Sequence, residues 1–368
     1  MPTFCRHNRF IERCPICSKT LLGATPAGAG KRLKSSRDAG GPSSSRATSP
    51  TSRHRRLRAG GREVRVHRET RAQDDGYGNA LVPGLHASDD AARLAEEIAF
   101  ANGRLLRMHA APPSLFNEIR ALAGDGQLER ASWLCFLTVY LSPLQGDDPF
   151  AGVRLALERE GDGSGIVEGA RAHHDHGDGG GEGARAHDGE GSPLDGVPLG
   201  PRTSHDPARG SETVRAYRHW ALHAGSQAQG LVGEESWTPQ RRFERAFERL
   251  ALPGFGRMGR YELLVTLGRL GLYELQADSL HLASGRSERE DLTTVAAKRV
   301  LAVGDPIYLE RRACAFAQEL DVPIDALDLA FANWGAGERA TLGFKPDVTD
   351  RHALERVREA FDLDPPAD

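Results

Sequence analysis

Three cysteines and one histidine lie close together at the start of the 368-residue chain. Cys5, His7, Cys14 and Cys17 follow the spacing C-x-H-x6-C-x2-C, and Pro15 favours a turn that lets the last two thiolates face one metal. Thiolates and imidazole in this number suit tetrahedral Zn²⁺. We predict a closed structural zinc knuckle, whose folding energy of roughly 10 kcal/mol would come from the metal. The alternatives are unrelated thiols in an unstructured leader, or a redox-active pair at Cys14 and Cys17.

A turn rich in glycine, LPGFG at residues 252–256, separates two helical patterns. The glycines at 254 and 256 can adopt positive φ and allow close approach of another backbone, while the following helix presents unpaired N–H groups. Two arginines lie in the first turn of that helix, where their positive charge is unfavourable beside the positive end of the helix dipole. A bound phosphate would neutralise this charge. An ordinary helix connection is the alternative. The predicted DNA-binding residues are Gly254, Phe255, Gly256, Arg257 and Arg260.

One acidic residue, Asp278, follows the turn by some two dozen positions. A carboxylate beside a cation-like reaction centre can stabilise its charge or orient an attacking amine or water. We therefore take Asp278 as the candidate catalytic residue. It could equally cap a helix that begins at Ser279.

An Asn-Trp pair ends a further helical pattern, before two glycines. Asn333 could form hydrogen bonds with an extruded base and Trp334 could stack on it, so both are candidates for a base pocket. The alternative is that Trp334 closes the core and Asn333 caps the helix. Asp74 and Asp75, in contrast, sit in a sequence typical of a turn.

The composition limits how much of the chain can fold. It contains 42 glycines and 21 prolines, and the hydrophobic fraction is 39%. Residues 20–62 are basic and lack apolar periodicity, which predicts a disordered linker that solubilises the chain or adds phosphate contacts. Residues 158–210 are acidic and rich in His and Gly, which indicates a solvated insertion or a loose metal binder. No stretch is apolar enough for a membrane span, and the cysteine usage predicts a reducing cytoplasm, with association with the nucleoid left open.

The remaining sequence predicts helices and no alternating strand pattern, so the predicted class is all-α. The helix 128–141 is apolar on most sides and should form the centre of the core. We divide the chain into a zinc knuckle (1–19), a linker (20–62), a first helical part (63–157), the insertion (158–210), a second helical part with the turn (211–345) and a tail (346–368). Predicted helices cover roughly 88–108, 114–122, 128–141, 257–267, 278–283, 292–301, 308–320 and 323–334.

Several of these motifs together resemble a known family. The LPGFG turn, Asp278 after it and the apolar stretch Trp133 to Pro143 look like the helix-hairpin-helix DNA glycosylase superfamily. Within it, FCRHNRFIERCPICS near the N-terminus and LDLAFANWG at residues 327–335 resemble the alpha-glutamyl/putrescinyl thymine pyrophosphorylase family, clade 3. The resemblance covers about residues 1–18 and 63–345, excluding the low-complexity stretches.

This resemblance implies a glycosylase-like domain that binds DNA, extrudes a modified pyrimidine and modifies it. In this family, an amine displaces pyrophosphate from an activated 5-hydroxymethyl-pyrimidine. The chain departs from the superfamily pattern at Met258, where lyases carry a nucleophilic lysine. An iron–sulfur cluster would need four cysteines after the turn, and the sequence has only Cys314 there. A monofunctional DNA N-glycosylase and a non-catalytic DNA-binding module remain the alternatives.

Overall fold

The computed structural model describes residues 55–59, 62–66, 72–161, 192–282 and 291–364. The chain divides into two compact units, residues 1–68 and residues 69–368. The predicted zinc ligands Cys5, His7, Cys14 and Cys17 lie outside the described residues, and so does the part of the predicted insertion from 162 to 191.

A β-hairpin forms where the sequence predicted the end of a linker. Strand β1 (Arg55–Ala59) pairs antiparallel with β2 (Arg62–Val66), and Leu57 stands opposite Val64. The connection consists of two glycines, Gly60 and Gly61, a combination typical of tight hairpins. Apolar and basic residues also alternate in β2. The predicted linker therefore includes one strand and the first residue of the next at its end, a feature that was not predicted from the sequence.

The second unit is all-α in its described residues, as predicted. Its helices are α1 (Ser88–Ala110), α2 (Ser114–Gly124), α3 (Leu128–Leu141), α4 (Ala151–Glu160), α5 (Glu212–His223), α6 (Gln227–Val232), α7 (Pro239–Arg249), α8 (Arg257–Arg269), α9 (Leu292–Leu301), α10 (Pro306–Glu319), α11 (Ile324–Ala336) and α12 (Arg351–Ala360). Among the described residues, none of these helices is both long and apolar enough to cross a bilayer.

Helix α3 forms the centre of the core, as its sequence predicted. Trp133 and Phe136 are fully buried. The Phe136 ring stacks on Tyr217 from α5 at 3.8 Å between centroids and meets Phe255 edge-on at 5.5 Å. Such aromatic pairs add about 0.5–1.5 kcal/mol each beyond the area they bury. This aromatic cluster fixes the turn before α8 against the centre of the domain.

The predicted tail contains a helix, α12, which packs on α1. Asp350 caps α12 by accepting a hydrogen bond from Ala353 N–H and also binds Asn102 from α1. Gly103 permits the close approach, because a Cβ there would lie 1.8 Å from the Val348 carbonyl oxygen. The sequence signals for α12 were the capping aspartate and the apolar Ala353 and Val357, both of which are buried.

Two aspartates before α1 form the turn that their sequence indicated. Asp74 accepts a hydrogen bond from Gly76 N–H, and Asp75 accepts hydrogen bonds from Tyr77 N–H and from Ser88. These bonds hold the pKa of Asp75 below its ordinary value. Both carboxylates therefore serve local structure in the described residues.

Candidate functional site

Helices α7 and α8 are joined by the glycine turn and contact one another. Thr238 caps α7 by accepting a hydrogen bond from Arg241 N–H, and Pro239 occupies the first turn. Gly254 has φ +75°, and a Cβ at this position would lie 2.3 Å from the Thr213 hydroxyl oxygen. The turn thus requires glycine at position 254 for both its backbone conformation and its packing.

Phe255 and Gly256 complete the turn with opposite exposures. Phe255 is 2% exposed and packs against α3, so it anchors the turn and offers no surface to a ligand. Gly256 is exposed and has φ −70°, which corrects the expectation of positive φ at this glycine. A Cβ on Gly256 would meet no atom within 4 Å. Gly256 is therefore the open point of the turn.

The start of α8 retains unpaired amides beside Gly256. The first backbone hydrogen bond across this end runs from Arg260 N–H to the Gly256 carbonyl. No side chain of the described residues caps the helix. The amides of the first turn, together with the helix dipole, can therefore receive an anion that approaches Gly256.

Arg257 does not point toward such an anion. Its guanidinium is buried, donates to the carboxylates of Asp291 and Asp328 at 2.6 Å each, and donates to the Leu280 carbonyl at 2.9 Å. Burial alone would lower the pKa of Arg257, but the two carboxylates raise it above its ordinary value. Arg257 was predicted to bind a DNA phosphate, but its anionic partners are Asp291 and Asp328 of the protein itself. The structure therefore corrects the predicted role of Arg257 as a phosphate ligand.

Arg260 differs from Arg257, because no carboxylate of the described residues lies within ion-pair distance of it. Its guanidinium stacks on Phe247 at 4.2 Å and donates to the Phe247 carbonyl at 3.0 Å. Burial and the neighbouring Arg257 lower the pKa of Arg260. Arg260 is 8% exposed, so it reaches solvent only at its edge.

A small cavity adjoins the first turns of α8, between Met258, Glu262 and Arg202. It has room for about one water molecule. Arg202 donates to Asp328 through one terminal nitrogen, and its other terminal nitrogen has no partner among the described residues. Burial raises the pKa of Glu262, which pairs with Arg104. The sequence analysis missed Arg202, whose only signal was a charged residue before a polar turn.

The segment that carries Asp278 is a loop, and the predicted helix from 278 to 283 is absent from its described residues, 278–282. Tyr261 donates its hydroxyl to the Ser279 carbonyl, and Glu310 accepts the N–H groups of Leu280 and Leu282. None of these three bonds involves the Asp278 carboxylate. The tertiary bonds replace those of a helix, so Asp278 caps no helix there.

His281 fixes the other end of this loop. Its φ of +53° lies in the left-handed region. The imidazole stacks on Phe247 at 4.2 Å between centroids. Burial lowers the pKa of His281 to about 4, a shift that the nearby Asp278 opposes.

A cleft of about 550 Å³ opens beside Asp278. Asp278 is exposed, and the lining also contains a bidentate pair between Arg269 and Asp325 at 2.7 and 2.8 Å. Phe243 and Val265 line the apolar part of the cleft, which thus combines apolar walls with a few charged groups, as ligand sites do. Further polar groups around it are Gln240, Gln276, Gln318, His109 and Cys314.

The cleft and the glycine turn lie near opposite ends of α8. The helical rise of about 1.5 Å per residue places Val265 roughly 13 Å along α8 from Gly256. The cleft thus borders the C-terminal half of α8, while the loop that carries Asp278 also bonds through its backbone to Arg257 and Tyr261 in the first turns of α8.

Asn333 and Trp334 lie in the interior, away from the cleft. Asn333 donates to the Glu97 carboxylate at 3.0 Å and accepts from Ala340 N–H at 3.0 Å. Trp334 is 1% exposed and donates its ring N–H to the Asp90 carbonyl at 2.9 Å. Their satisfied hydrogen bonds and burial agree with the core alternative and correct the predicted base pocket.

The described second unit is thus an all-α domain with a helix pair, an open glycine turn and a cleft that Asp278 lines. Residues 203–345 match the family described as alpha-glutamyl/putrescinyl thymine pyrophosphorylase clade 3. This match confirms the family inferred from the sequence for the part of the chain that holds the turn, Asp278 and the cleft. The family description implies a pyrophosphorylase-like role in thymine hypermodification, with DNA as the substrate. No curated protein and no solved structure matches the chain.

Proposed function

We propose that this protein is a DNA base-modifying transferase that replaces the pyrophosphate of an activated 5-hydroxymethyl-pyrimidine with an amine. The bond between the base methylene and the pyrophosphate oxygen breaks, a bond between the methylene and the amine nitrogen forms, and the amine loses one proton. The observation that carries the proposal is an exposed carboxylate, Asp278, on the rim of a cleft of about 550 Å³ within the family-matched residues.

The surroundings of Asp278 suit its proposed role. The loop is held by Tyr261 and Glu310 through its backbone, so the carboxylate itself stays available to a substrate. As pyrophosphate departs, positive charge develops at the methylene, and a carboxylate placed beforehand stabilises that charge. The same group can accept the proton of the amine.

The glycine turn supplies the proposed contact with the DNA backbone. Exposed Gly256 and the first-turn amides of α8 can receive one phosphate, and Arg260 adds positive charge beside them. Gly256 and Val265, which lines the cleft, are roughly 13 Å apart along α8, and this length corresponds to about four nucleotide steps at about 3.4 Å each. A strand gripped at Gly256 can therefore continue to a nucleotide in the cleft.

The decisive assay follows the modified base. Purified full-length protein is incubated with DNA containing the activated pyrimidine and with candidate amines, and the digested nucleosides are analysed by mass. We expect a mass increase that matches the amine in an intact strand, reduced by about 10²–10⁴-fold in Asp278→Asn. Asp125→Asn, at an exposed aspartate outside the cleft, is the matched control. Wild-type activity in Asp278→Asn would remove the proposed role of Asp278.

The same assay separates the two rival functions. Abasic sites without amine incorporation would identify a monofunctional glycosylase, for which Met258 in place of a lysine leaves no Schiff-base nucleophile. DNA binding without any change in the base would identify a non-catalytic module.

A charge placed at the turn tests DNA binding directly. Gly256→Asp should preserve the fold, because aspartate is a favoured N-cap residue, yet its carboxylate would repel phosphate. We expect DNA affinity in low salt to fall roughly tenfold or more. Gly304→Asp adds the same charge at an exposed glycine with open space around it and should bind normally. Equal affinity in the two variants would exclude Gly256 as a phosphate site.

The N-terminal residues extend the proposal to a structural zinc ion. Cys5, His7, Cys14 and Cys17 offer a closed Cys3His donor set, which would fold a segment too short for its own core. Zinc content per chain should fall by about one equivalent in Cys14→Ser. Equal zinc in wild type and variant would remove the knuckle.

A further inference from the structure

Two histidines on α5 converge on one point outside the cleft. His219 and His223 are both exposed and lie one helical turn apart. Their Nε2 atoms are 3.0 Å from one another, and the ring centroids are 4.2 Å apart at an interplanar angle of 70°. The pair therefore presents two imidazole nitrogens side by side to solvent.

The opposite face of α5 is fixed in the core, so the backbone positions of the two histidines are rigid. Val214, Tyr217 and Ala221 are fully buried. The Tyr217 hydroxyl donates to Gln227, and Arg218 pairs with Glu160 at 2.8 Å. Binding a ligand at the two imidazoles therefore requires no rearrangement of the helix.

The separation of the two nitrogens suits a particular metal geometry. Metal–imidazole bonds of about 2.0–2.1 Å, with nitrogens 3.0 Å apart, subtend an angle of roughly 91–97° at the metal. Adjacent positions of a tetragonal site, which Cu²⁺ and Ni²⁺ prefer, have this angle. A tetrahedral Zn²⁺ ion needs nitrogens about 3.4 Å apart. Without metal, one ring can donate a proton to the other, which contributes little at an exposed site.

We propose that His219 and His223 chelate one divalent transition-metal ion, with Cu²⁺ bound more tightly than Ni²⁺ and Ni²⁺ more tightly than Zn²⁺. In the described ranges, no set of three His, Cys, Asp or Glu residues is placed to hold a metal ion. Water or an external ligand therefore fills the other coordination positions. This site shares no residue with the proposed zinc knuckle or with the transferase cleft.

The test compares Cu²⁺ binding by full-length wild type, His219→Gln, His223→Gln and His352→Gln. His352 is also an exposed histidine on a helix, but no second histidine lies a turn away from it. Equilibrium dialysis gives the stoichiometry, and electron paramagnetic resonance reports nitrogen ligation. We expect each α5 variant to bind about one Cu²⁺ fewer than wild type, whereas His352→Gln binds the wild-type number.

Metal bound elsewhere in the chain is common to all four proteins, so the difference isolates the α5 pair. Far-UV circular dichroism verifies equal helix content. Equal stoichiometry and affinity in His219→Gln, His223→Gln and wild type would overturn the proposal.

Discussion

Asp328 and Asp278 are two aspartates near α8 whose surroundings differ in every respect. Asp328 is 1% exposed and lies between Arg257 and Arg202, at 2.6 and 2.7 Å. Burial alone would raise the pKa of Asp328, yet the two arginines lower it below its ordinary value. Asp278 is exposed on the rim of the cleft. The comparison teaches that the buried carboxylate stabilises the helix assembly, whereas the exposed one is placed to meet a substrate.

The largest expected effect is on stability, through the buried carboxylate. Asp328→Ala removes a negative charge that neutralises the buried guanidinium groups of Arg257 and Arg202, which should lower the free energy of unfolding by about 3–5 kcal/mol. Urea unfolding measures this free energy. Asp148→Ala, which removes an exposed ion pair with Arg154, should change stability by less than about 1 kcal/mol. Similar losses in the two variants would contradict the contrast between buried and exposed carboxylates.

The next effect concerns pH and the loop that carries Asp278. The folded protein keeps His281 unprotonated down to about pH 4, whereas the unfolded chain protonates it near the ordinary histidine pKa of 6.5. The unfolded state therefore binds more protons between these values, so stability contributed by His281 is present above pH 6.5 and lost as the pH falls toward 4.

Urea unfolding at several pH values should show a contribution of about 2–3 kcal/mol from this residue. His281→Asn tolerates the left-handed backbone and should lack that part of the pH dependence. The buried Glu262 and Glu310 titrate in both proteins, so the difference between the curves isolates His281. Parallel curves would show that the imidazole is not buried in the folded loop.

A smaller effect separates the two glycines of the turn. Gly254→Ala places a Cβ 2.3 Å from the Thr213 hydroxyl at a positive φ and should cost about 1–3 kcal/mol. Gly256→Ala meets no atom and should change stability by less than about 0.5 kcal/mol. Thermal unfolding of the two variants measures the difference. Equal melting temperatures would mean that position 254 is not constrained as the structure shows.

The smallest expected effect on stability is at the exposed aspartate. Asp278→Asn removes a charge from a carboxylate that takes no part in the backbone hydrogen bonds of the loop. The free energy of unfolding should therefore change by less than about 0.5 kcal/mol. Combined with the loss of activity expected above, this would separate function from folding. A loss of stability comparable to that of Asp328→Ala would instead assign Asp278 a structural role.

The sequence predicted the helices whose signals are local. The bounds of α3 and α9 agree with the prediction, since α3 is apolar on most sides and α9 repeats its apolar residues at helical spacing. It missed α12, and it predicted a helix at 278–283 where the loop instead forms tertiary bonds to Glu310 and Tyr261. Short helices and loops of this kind depend on partners that are distant in sequence.

The candidate site was predicted less completely. The turn at 252–256 and Asp278 stand out by residue type, and the structure shows Gly256 and Asp278 exposed. Arg257, Asn333 and Trp334 are equally suited to bind DNA by type, but the structure buries all three with partners inside the protein. Residue type alone does not distinguish an arginine that awaits a phosphate from one that already has a carboxylate.

The sequence by itself determined the all-α class, the central position of α3 and the family of the matched part, because periodicity and motif spacing are local properties of the chain. Tertiary structure alone decided which charges stay in contact with solvent. Burying a charge requires a compensating partner, and the partners Asp291 and Asp328 reach Arg257 only when α8, α9 and α11 pack together. The same packing leaves Asp278 on the rim of the cleft.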